Sequence, residues 1–303
     1  MNKKIVITGA TGLIGRKIAK RLIERGDEVI IFSRSIEKAM RSVPNAARYV
    51  HWDINSEEWK QNLNGIDVVI NLSGENLMAK RWSSEQKKKI RDSRILSTKA
   101  LVTTINELPD KPKVFVSASA VGFYGNPETE VDETFPPGKG FLAEVVKDWE
   151  KESEPLNKIG VRRVIVRIGI VLDKDGGALE KMVLPFKLFI GGPLGSGNQW
   201  MSWIHIEDLV KLFLFAIDNE DVEGVVNCVS PNPVNMKEFA KTIGITLKRP
   251  SIFKVPPFVL KMILGEASKT VLEGVKVSPA KVLNFGYEFG YKNIQEAIED
   301  LLR

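Results

Sequence analysis

Gly9, Gly12 and Gly15 stand in the stretch TGATGLIG, directly after the apolar run Lys3–Thr8 and at the opening of a helical pattern over Leu13–Glu24. Few sequence features constrain a fold more. A strand must run straight into a helix through a turn that needs glycine at three places. The first glycine permits the tight turn, the second lets backbone approach a pyrophosphate, and the third lets helix pack closely on strand. The free N–H groups and partial positive charge of the helix N-terminus suit phosphate. Thr11, Leu13 and Ile14, interleaved with the glycines, complete the loop. Dinucleotide binding is therefore expected here.

The rest of the chain follows that opening. Leu13, Ile14, Ile18, Ala19, Leu22 and Ile23 share one helical face, and Gly26 is placed to end the helix. Further strands are expected at Val29–Phe32, Ala47–Trp52, Asp67–Leu72, Val114–Ser117 and Val161–Ile170, with helices at Ser84–Asn106 and Phe141–Asn157, the latter broken near Pro155. The strands read as apolar runs without alternation, as strands buried on both faces do. Alternation of strand and helix over about 170 residues predicts an α/β doubly wound parallel sheet. Beyond Val171 glycine-rich loops appear. Helices are expected at Ala178–Phe189, Glu207–Asn219 and Met236–Ile243, and a strand at Val225–Val229. From Pro250 onward short helices dominate. The boundaries read as 1–172 for the dinucleotide-binding unit, 173–249 for a mixed region partly returning to its core, and 250–303 for a helical C-terminal domain.

The cofactor is selected at the end of the second strand. An acid there would hold the ribose 2′-hydroxyl of NAD. The chain reads Phe32-Ser33-Arg34-Ser35 instead. Arg34 can grip a 2′-phosphate with its planar fork, and Ser33 can donate a hydroxyl. NADP(H) is expected; Asp53, after the third strand, reads either as a group at the adenine edge or as an ordinary turn aspartate.

Charge and composition narrow the remaining classes. Of 303 residues 43% are hydrophobic and 27% charged, so a full core is available. The net charge of +6 equals the excess in one segment, where Lys80, Arg81, Lys87, Lys88, Lys89, Arg91, Arg94 and Lys99 face only Glu85 and Asp92. Trp82 is the only aromatic among them. A nucleic-acid binder would spread its cations over a face with stacking aromatics between, so no nucleic-acid partner is expected. No apolar run reaches the ~18 residues of a membrane helix, and Pro256–Leu264, at nine residues, is too short to anchor the chain. A single cysteine, Cys228, and no signal-like N-terminus predict a cytoplasmic protein without disulfides.

The motifs TGATGLIG, FSRS, NLSGENL, SASAVGFYG, VRIGIVL, GGPLGSG and WIHIEDL together resemble the extended short-chain dehydrogenase/reductases. More narrowly, they are similar to the "epimerase family protein" subgroup of the NAD-dependent epimerase/dehydratase family, which has its own small helical C-terminal domain. The resemblance spans nearly the whole chain. It implies a Rossmann-like sheet with NADP(H) across its carboxyl edge. It places Leu72, Ser73 and Gly74 along the adenosine and ribose, Arg94 and Lys89 reaching toward the cofactor, and Val171 near the nicotinamide. It also implies a homodimer formed through the helices after strands four and five.

The match breaks at the catalytic centre. Typical members place a Ser or Thr after strand five and a Tyr-x-x-x-Lys pair on the next helix, where the Tyr moves a proton and the Lys holds the ribose. Ser119 fits the first position better than Ser117. In one register Ala143 and Lys147 occupy the pair, and in the other Leu142 and Val146 do; neither contains tyrosine. Tyr124 and Lys147 are the substitutes at hand, with Glu144 and His205 behind them. Asp208 reads as a first-turn carboxylate and His51 as structural. Gly191–Trp203 combines glycines with Gln199, Trp200 and Trp203, suiting either a substrate-covering loop or a rigid connection. No residue set has metal-ligand spacing, and there is no Gly-x-Ser-x-Gly nucleophile elbow. The expectation is an NADP(H)-dependent oxidoreductase or epimerase for a small polar, perhaps nucleotide-linked, carbonyl or hydroxyl compound. The alternative is a non-catalytic NADP(H)-binding protein that presents its C-terminal domain to a partner.

Overall fold

The computed structural model describes residues 2–303. β1 (Lys4–Thr8), β2 (Glu28–Ser33), β3 (Arg48–His51), β4 (Val68–Asn71), β5 (Val114–Ala120) and β6 (Arg162–Ile168) join a later strand in one sheet. Between them run α1 (Leu13–Arg25), α2 (Ile36–Ser42), α3 (Ser84–Glu107) and α4 (Phe141–Lys151). Then come β7 (Ile170–Leu172), α5 (Gly177–Lys187), β8 (Trp200–Met201), β9 (Trp203–His205), α6 (Ile206–Asp218), β10 (Gly224–Cys228), β11 (Val234–Asn235) and α7 (Met236–Leu247). The tail carries α8 (Pro257–Leu264), α9 (Lys269–Leu272), α10 (Ala280–Asn284) and α11 (Ile294–Leu302).

The large sheet has the order β10-β6-β5-β4-β1-β2-β3, and every pairing in it is parallel. Strand order reverses between β1 and β4. In such sheets the crevice beyond the carboxyl ends of these strands binds ligands. The strand cores are apolar on both faces because helices cover both. Ile5 and Ile7 of β1 join one buried cluster with α1, α6 and α7, while Val6 joins another with Leu101, Val102 and Ile105 of α3. The first cluster reaches Ile294, Ala297, Ile298 and Leu301 in the C-terminal helix, so the tail shares the core of the sheet. No helix among the described residues is long and apolar enough to cross a membrane.

Three local differences from the sequence reading have physical causes. The expected strand Val161–Ile170 is two strands, broken at Gly169. A Cβ there would lie 2.3 Å from the Ser202 carbonyl oxygen, and Ile170 N–H turns to donate to that same oxygen at 2.8 Å. Ile170 thus starts β7, which pairs with β9 outside the large sheet. α2 was not foreseen: it has only seven residues, too few for a periodic signal, and rests on Ser35, whose hydroxyl accepts from Lys38 N–H at 3.3 Å. α4 ends at Lys151, earlier than the sequence pattern suggested. A separate 3₁₀ turn, Glu154–Lys158, begins around Pro155, which has no N–H to continue the helix.

Candidate functional site

The cleft begins at the glycine loop. Gly9 has φ +71°, and a Cβ there would lie 2.4 Å from the Leu72 carbonyl oxygen. At Gly15 a Cβ would lie 2.4 Å from the Gly9 carbonyl oxygen, so α1 rests directly on the turn. Gly12 caps α1 with no side-chain hydrogen bond. The first N–H groups of a 13-residue helix are therefore left for a ligand, with the positive end of the helix dipole behind them. This cradle fits a pyrophosphate.

On one side of the loop a cavity of about 580 Å³ is lined by Gly9, Thr11, Gly12, Ser33, Arg34 and Asp53, together with Leu72, Ser73 and Gly74. Arg34 is exposed at its wall, and no ion pair among the described residues involves it. The Ser33 hydroxyl donates to the Ser35 carbonyl at 3.0 Å. Asp53 Oδ1 is engaged by the N–H and the side-chain amide of Asn55, both at 3.0 Å. Trp52 also lines the cavity, and its buried Nε1–H has no partner in the protein.

Arg94 and Lys89, two cations of the basic helix, part ways. Arg94 turns inward and lines a second cavity of about 480 Å³. Its guanidinium lies against Gly74, where a Cβ would be 2.9 Å from Cζ. One donor reaches the Ile90 carbonyl at 2.9 Å. Burial pushes its pKa down to about 10, against the pull of Glu75, so it stays cationic at neutral pH. Lys89 points to solvent instead and pairs with Glu85 one turn away at 2.6 Å; it lines neither this cavity nor the one at Arg34. Much of the basic run is likewise spent on ion pairs, Lys87 with Glu266 and Arg91 with Asp148, both at 2.6 Å.

The second cavity also holds Ser119, Ile170 and Val171. Ser119 is buried and donates to Glu150 Oε1 at 2.5 Å. Arg167 grips Glu150 with Nε and Nη2 at 2.9 and 2.8 Å, a bidentate pair with both side chains almost wholly buried. Burial would lower the Arg167 pKa, but Glu150 outweighs it and holds the guanidinium above its ordinary value. Tyr124 belongs to the same network. Its hydroxyl donates to Asn227 Oδ1 at 2.7 Å and accepts from Arg167 Nη1 at 3.0 Å. Burial raises its pKa, and it packs in an apolar cluster with Phe123 and Val131, away from the cavity lining. Tyr124 is thus a structural tyrosine rather than an exposed substitute donor. Lys147 fails for a simpler reason: it lies on the exposed face of α4. The cavity face of that helix presents Phe141, Leu142, Ala143, Val145, Val146 and Trp149, with neither a tyrosine nor a lysine among them.

Four residues that the sequence reading gave no role hold this end together. Asn71, fully buried at the end of β4, accepts from the Thr8 hydroxyl at 2.8 Å. It donates to the Thr98 hydroxyl at 2.8 Å and to the Ser117 hydroxyl at 3.3 Å. Thr98 in turn accepts from Trp149 Nε1–H at 2.9 Å. Glu150 and Arg167 are the others. A polar residue closing an apolar strand, as in DVVINL or VRRVIVRI, was the available signal.

None of Asp208, His205, Glu144 and His51 lines the Ser119 cavity. Asp208 accepts from the N–H groups of Gly290 and Tyr291 at 2.8 and 2.9 Å. His205 caps α6, its Nδ1 accepting from Glu207 N–H at 3.2 Å, and stacks on Tyr291 at 3.7 Å. Glu144 and His51 are exposed, and only His51 borders a cavity, the one at Arg34. The 191–203 segment is a tied connection. Gln199 donates to the Leu194 and Val271 carbonyls at 2.9 Å, and the Ser202 hydroxyl donates to the Val275 carbonyl at 2.7 Å.

A third cavity, about 650 Å³, opens between the glycine loop, α5, α7 and α8. Gly9, Gly12, Leu13, Ile14 and Gly15 form its floor, and it meets the second cavity at Ile14, Leu72, Ala118, Ile170, Val171 and Thr270.

A model of the NAD dependent epimerase/dehydratase family matches residues 5–143, and one of a domain of unknown function (DUF1731) matches residues 255–301. The "Epimerase family protein SDR39U1 homolog, chloroplastic" of Arabidopsis thaliana is 45% identical over 303 residues, covering 99% of this chain and 86% of the relative. The crystal structure of human epimerase family protein SDR39U1 (isoform 2) with NADPH superposes with a TM-score of 0.89 at 34% identity, covering 98% of each chain. A UDP-glucuronic acid 4-epimerase of Bacillus cereus, solved with UDP-glucuronic acid and NAD, gives a TM-score of 0.81, covering 98% of this chain and 97% of the neighbour, but at 17% identity it shows the fold alone.

Proposed function

We propose that this chain, which belongs to the NAD dependent epimerase/dehydratase family and within it to the epimerase family proteins, binds NADP(H) along its cleft and oxidises or reduces a carbonyl or hydroxyl substrate. The observation that carries the cofactor choice is Arg34, exposed and without an ion pair beside the glycine cradle, where an acid would serve NAD. Ser33 and Arg34 hold the 2′-phosphate, the N-terminus of α1 holds the pyrophosphate, and Arg94 supplies a half-buried cation between the two ends of the cleft. Bound NADP(H) supplies or accepts a hydride at the nicotinamide ring.

The protein's part is to hold the substrate oxygen. Ser119 lines the cavity beside Ile170 and Val171. Because its own proton goes to Glu150, its oxygen offers lone pairs, and a substrate hydroxyl donates to them. In the oxidative direction the substrate hydroxyl donates to Ser119 Oγ, and its proton leaves to water in the cleft as hydride passes to the nicotinamide. Glu150 and Arg167 position the serine. A second reading has its own support: the α4 side chains that line the cavity include neither a tyrosine nor a lysine, which suits a protein that binds NADP(H) without turning it over.

Titration with NADPH and NADH, followed by nicotinamide fluorescence, tests the cofactor assignment. NADPH is expected to bind more tightly. Arg34→Asp should weaken NADPH at least tenfold, since charge-assisted hydrogen bonds contribute about 1.5–3 kcal/mol. Unchanged affinity in that variant would remove Arg34 from the site. Cofactor oxidation on addition of carbonyl compounds separates the catalytic reading from the binding-only one.

A further inference from the structure

The cavity between α5, α7 and α8 has a lining that does not suit a nucleotide-linked substrate. Among the described residues its only polar lining side chains are Lys181 and Thr270. The Thr270 hydroxyl is already committed, donating to the Ala267 carbonyl at 2.7 Å. The walls are otherwise aliphatic, thioether or phenyl groups, with Met182 and Phe186 from α5, Phe239 and Ile243 from α7, and Leu260 and Leu264 from α8. A nucleoside diphosphate brings two anionic phosphates, ribose hydroxyls and a base edge. Those groups would lose water here and find one ammonium in return. Buried polar groups without partners cost more than the contacts repay.

We infer that this cavity holds the body of an apolar substrate, a lipophilic ketone or alcohol whose oxygen reaches Ser119 through the neck at Ala118, Ile170 and Val171. The inference rests on the hydride-transfer reading of the Ser119 site and names its substrate class. The volume, about 650 Å³, lies within the ordinary range of small-molecule pockets. Part of the floor, from Gly9 to Ile14, belongs to the cofactor, and the remainder is apolar to the mouth. Outside the lining, Leu184 on α5, Leu188 and Phe189 just after it, and Phe258, Met262 and Ile263 on α8 are each more than half exposed.

The test is calorimetric titration of the NADP⁺-loaded protein with straight-chain 2-ketones from four to ten carbons, and with UDP-glucose as the polar comparator. Affinity for the ketones should tighten about three- to fourfold per added methylene until the cavity is filled. UDP-glucose should bind more weakly than 2-decanone. Ala178→Trp, at a half-buried small position on the wall, should weaken the longest ketones at least tenfold and the shortest much less. Met182→Arg offers a second, independent change on that wall and should do the same by placing a cation there. Ketone affinities flat with length, UDP-glucose binding tighter than 2-decanone, or long-ketone affinities unmoved in both variants would each overturn the inference. NADPH titration of the same samples tells the two ideas apart: loss of cofactor binding removes the hydride-transfer reading, whereas intact cofactor binding with flat ketone affinities removes the apolar substrate alone.

Discussion

Arg94 and Lys89 lie five positions apart on one helix, carry the same charge, and meet opposite environments. Arg94 is drawn over Gly74 into the cleft, while Lys89 satisfies itself with Glu85 at the surface. Arg94→Ala should therefore weaken NADPH about tenfold, since a half-buried charge-assisted contact is lost. Lys89→Ala should leave it within about twofold, as expected where an exposed pair contributes little. Fluorescence titration of the two variants checks this, and equal losses would contradict the placement of Arg94. The same contrast of environment decides the catalytic candidates. Ser119 faces the cavity, Tyr124 is locked between Asn227 and Arg167, and Lys147 is in solvent. Residue type and spacing alone could not separate them, because burial and partner are set by chains far away in sequence.

At the scale of elements, α6 and the C-terminal segment are clasped through His205. Its ring caps α6, stacks on Tyr291, and sets Nε2 3.2 Å from Asp300. Burial lowers its pKa, and Asp300, Asp208 and Glu207 only partly offset this. In the unfolded chain the imidazole titrates near ~6.5. Above that pH both states are neutral and the group is silent. Below it the unfolded chain takes up the proton first, so stability falls as pH drops from about 6.5 toward the lower folded-state pKa. Urea midpoints between pH 7.5 and 5 should decline in the wild type and decline less in His205→Asn, whose amide can still cap the helix. Equal slopes would mean that His205 is not the titrating clasp. Element ends were the weakest part of the sequence reading, and Gly169 shows why. The break between β6 and β7 is imposed by the carbonyl of Ser202, which is 33 positions away and not visible in any local pattern.

At the scale of the whole molecule, one buried cluster runs from Ile5 in the first strand to Leu301 in the last helix. The chain should therefore unfold as one unit despite its composite appearance. Ile298→Ala, at a fully buried position of α11, should cost about 2–5 kcal/mol. Its effect should appear as a single shifted transition, with far-ultraviolet circular dichroism and loss of NADPH fluorescence coincident. Two separated transitions would instead assign the tail a fold of its own.

The sheet, the glycine cradle and the choice of Arg34 over an acid were legible in the chain because they depend on neighbours within one strand–turn–helix unit. Hydrophobic runs, a glycine pattern and a strand end are local features, and local sterics and charge suffice to interpret them. Tertiary structure alone decided which cation enters the cleft, which face of α4 meets it, and that Ser119 is backed by Glu150 and Arg167. It alone also showed the apolar lining of the cavity between α5, α7 and α8. Each of these depends on side chains from α3, α4, α5, α7 and the tail meeting at one sheet edge, where burial sets charge, partner and solvent access.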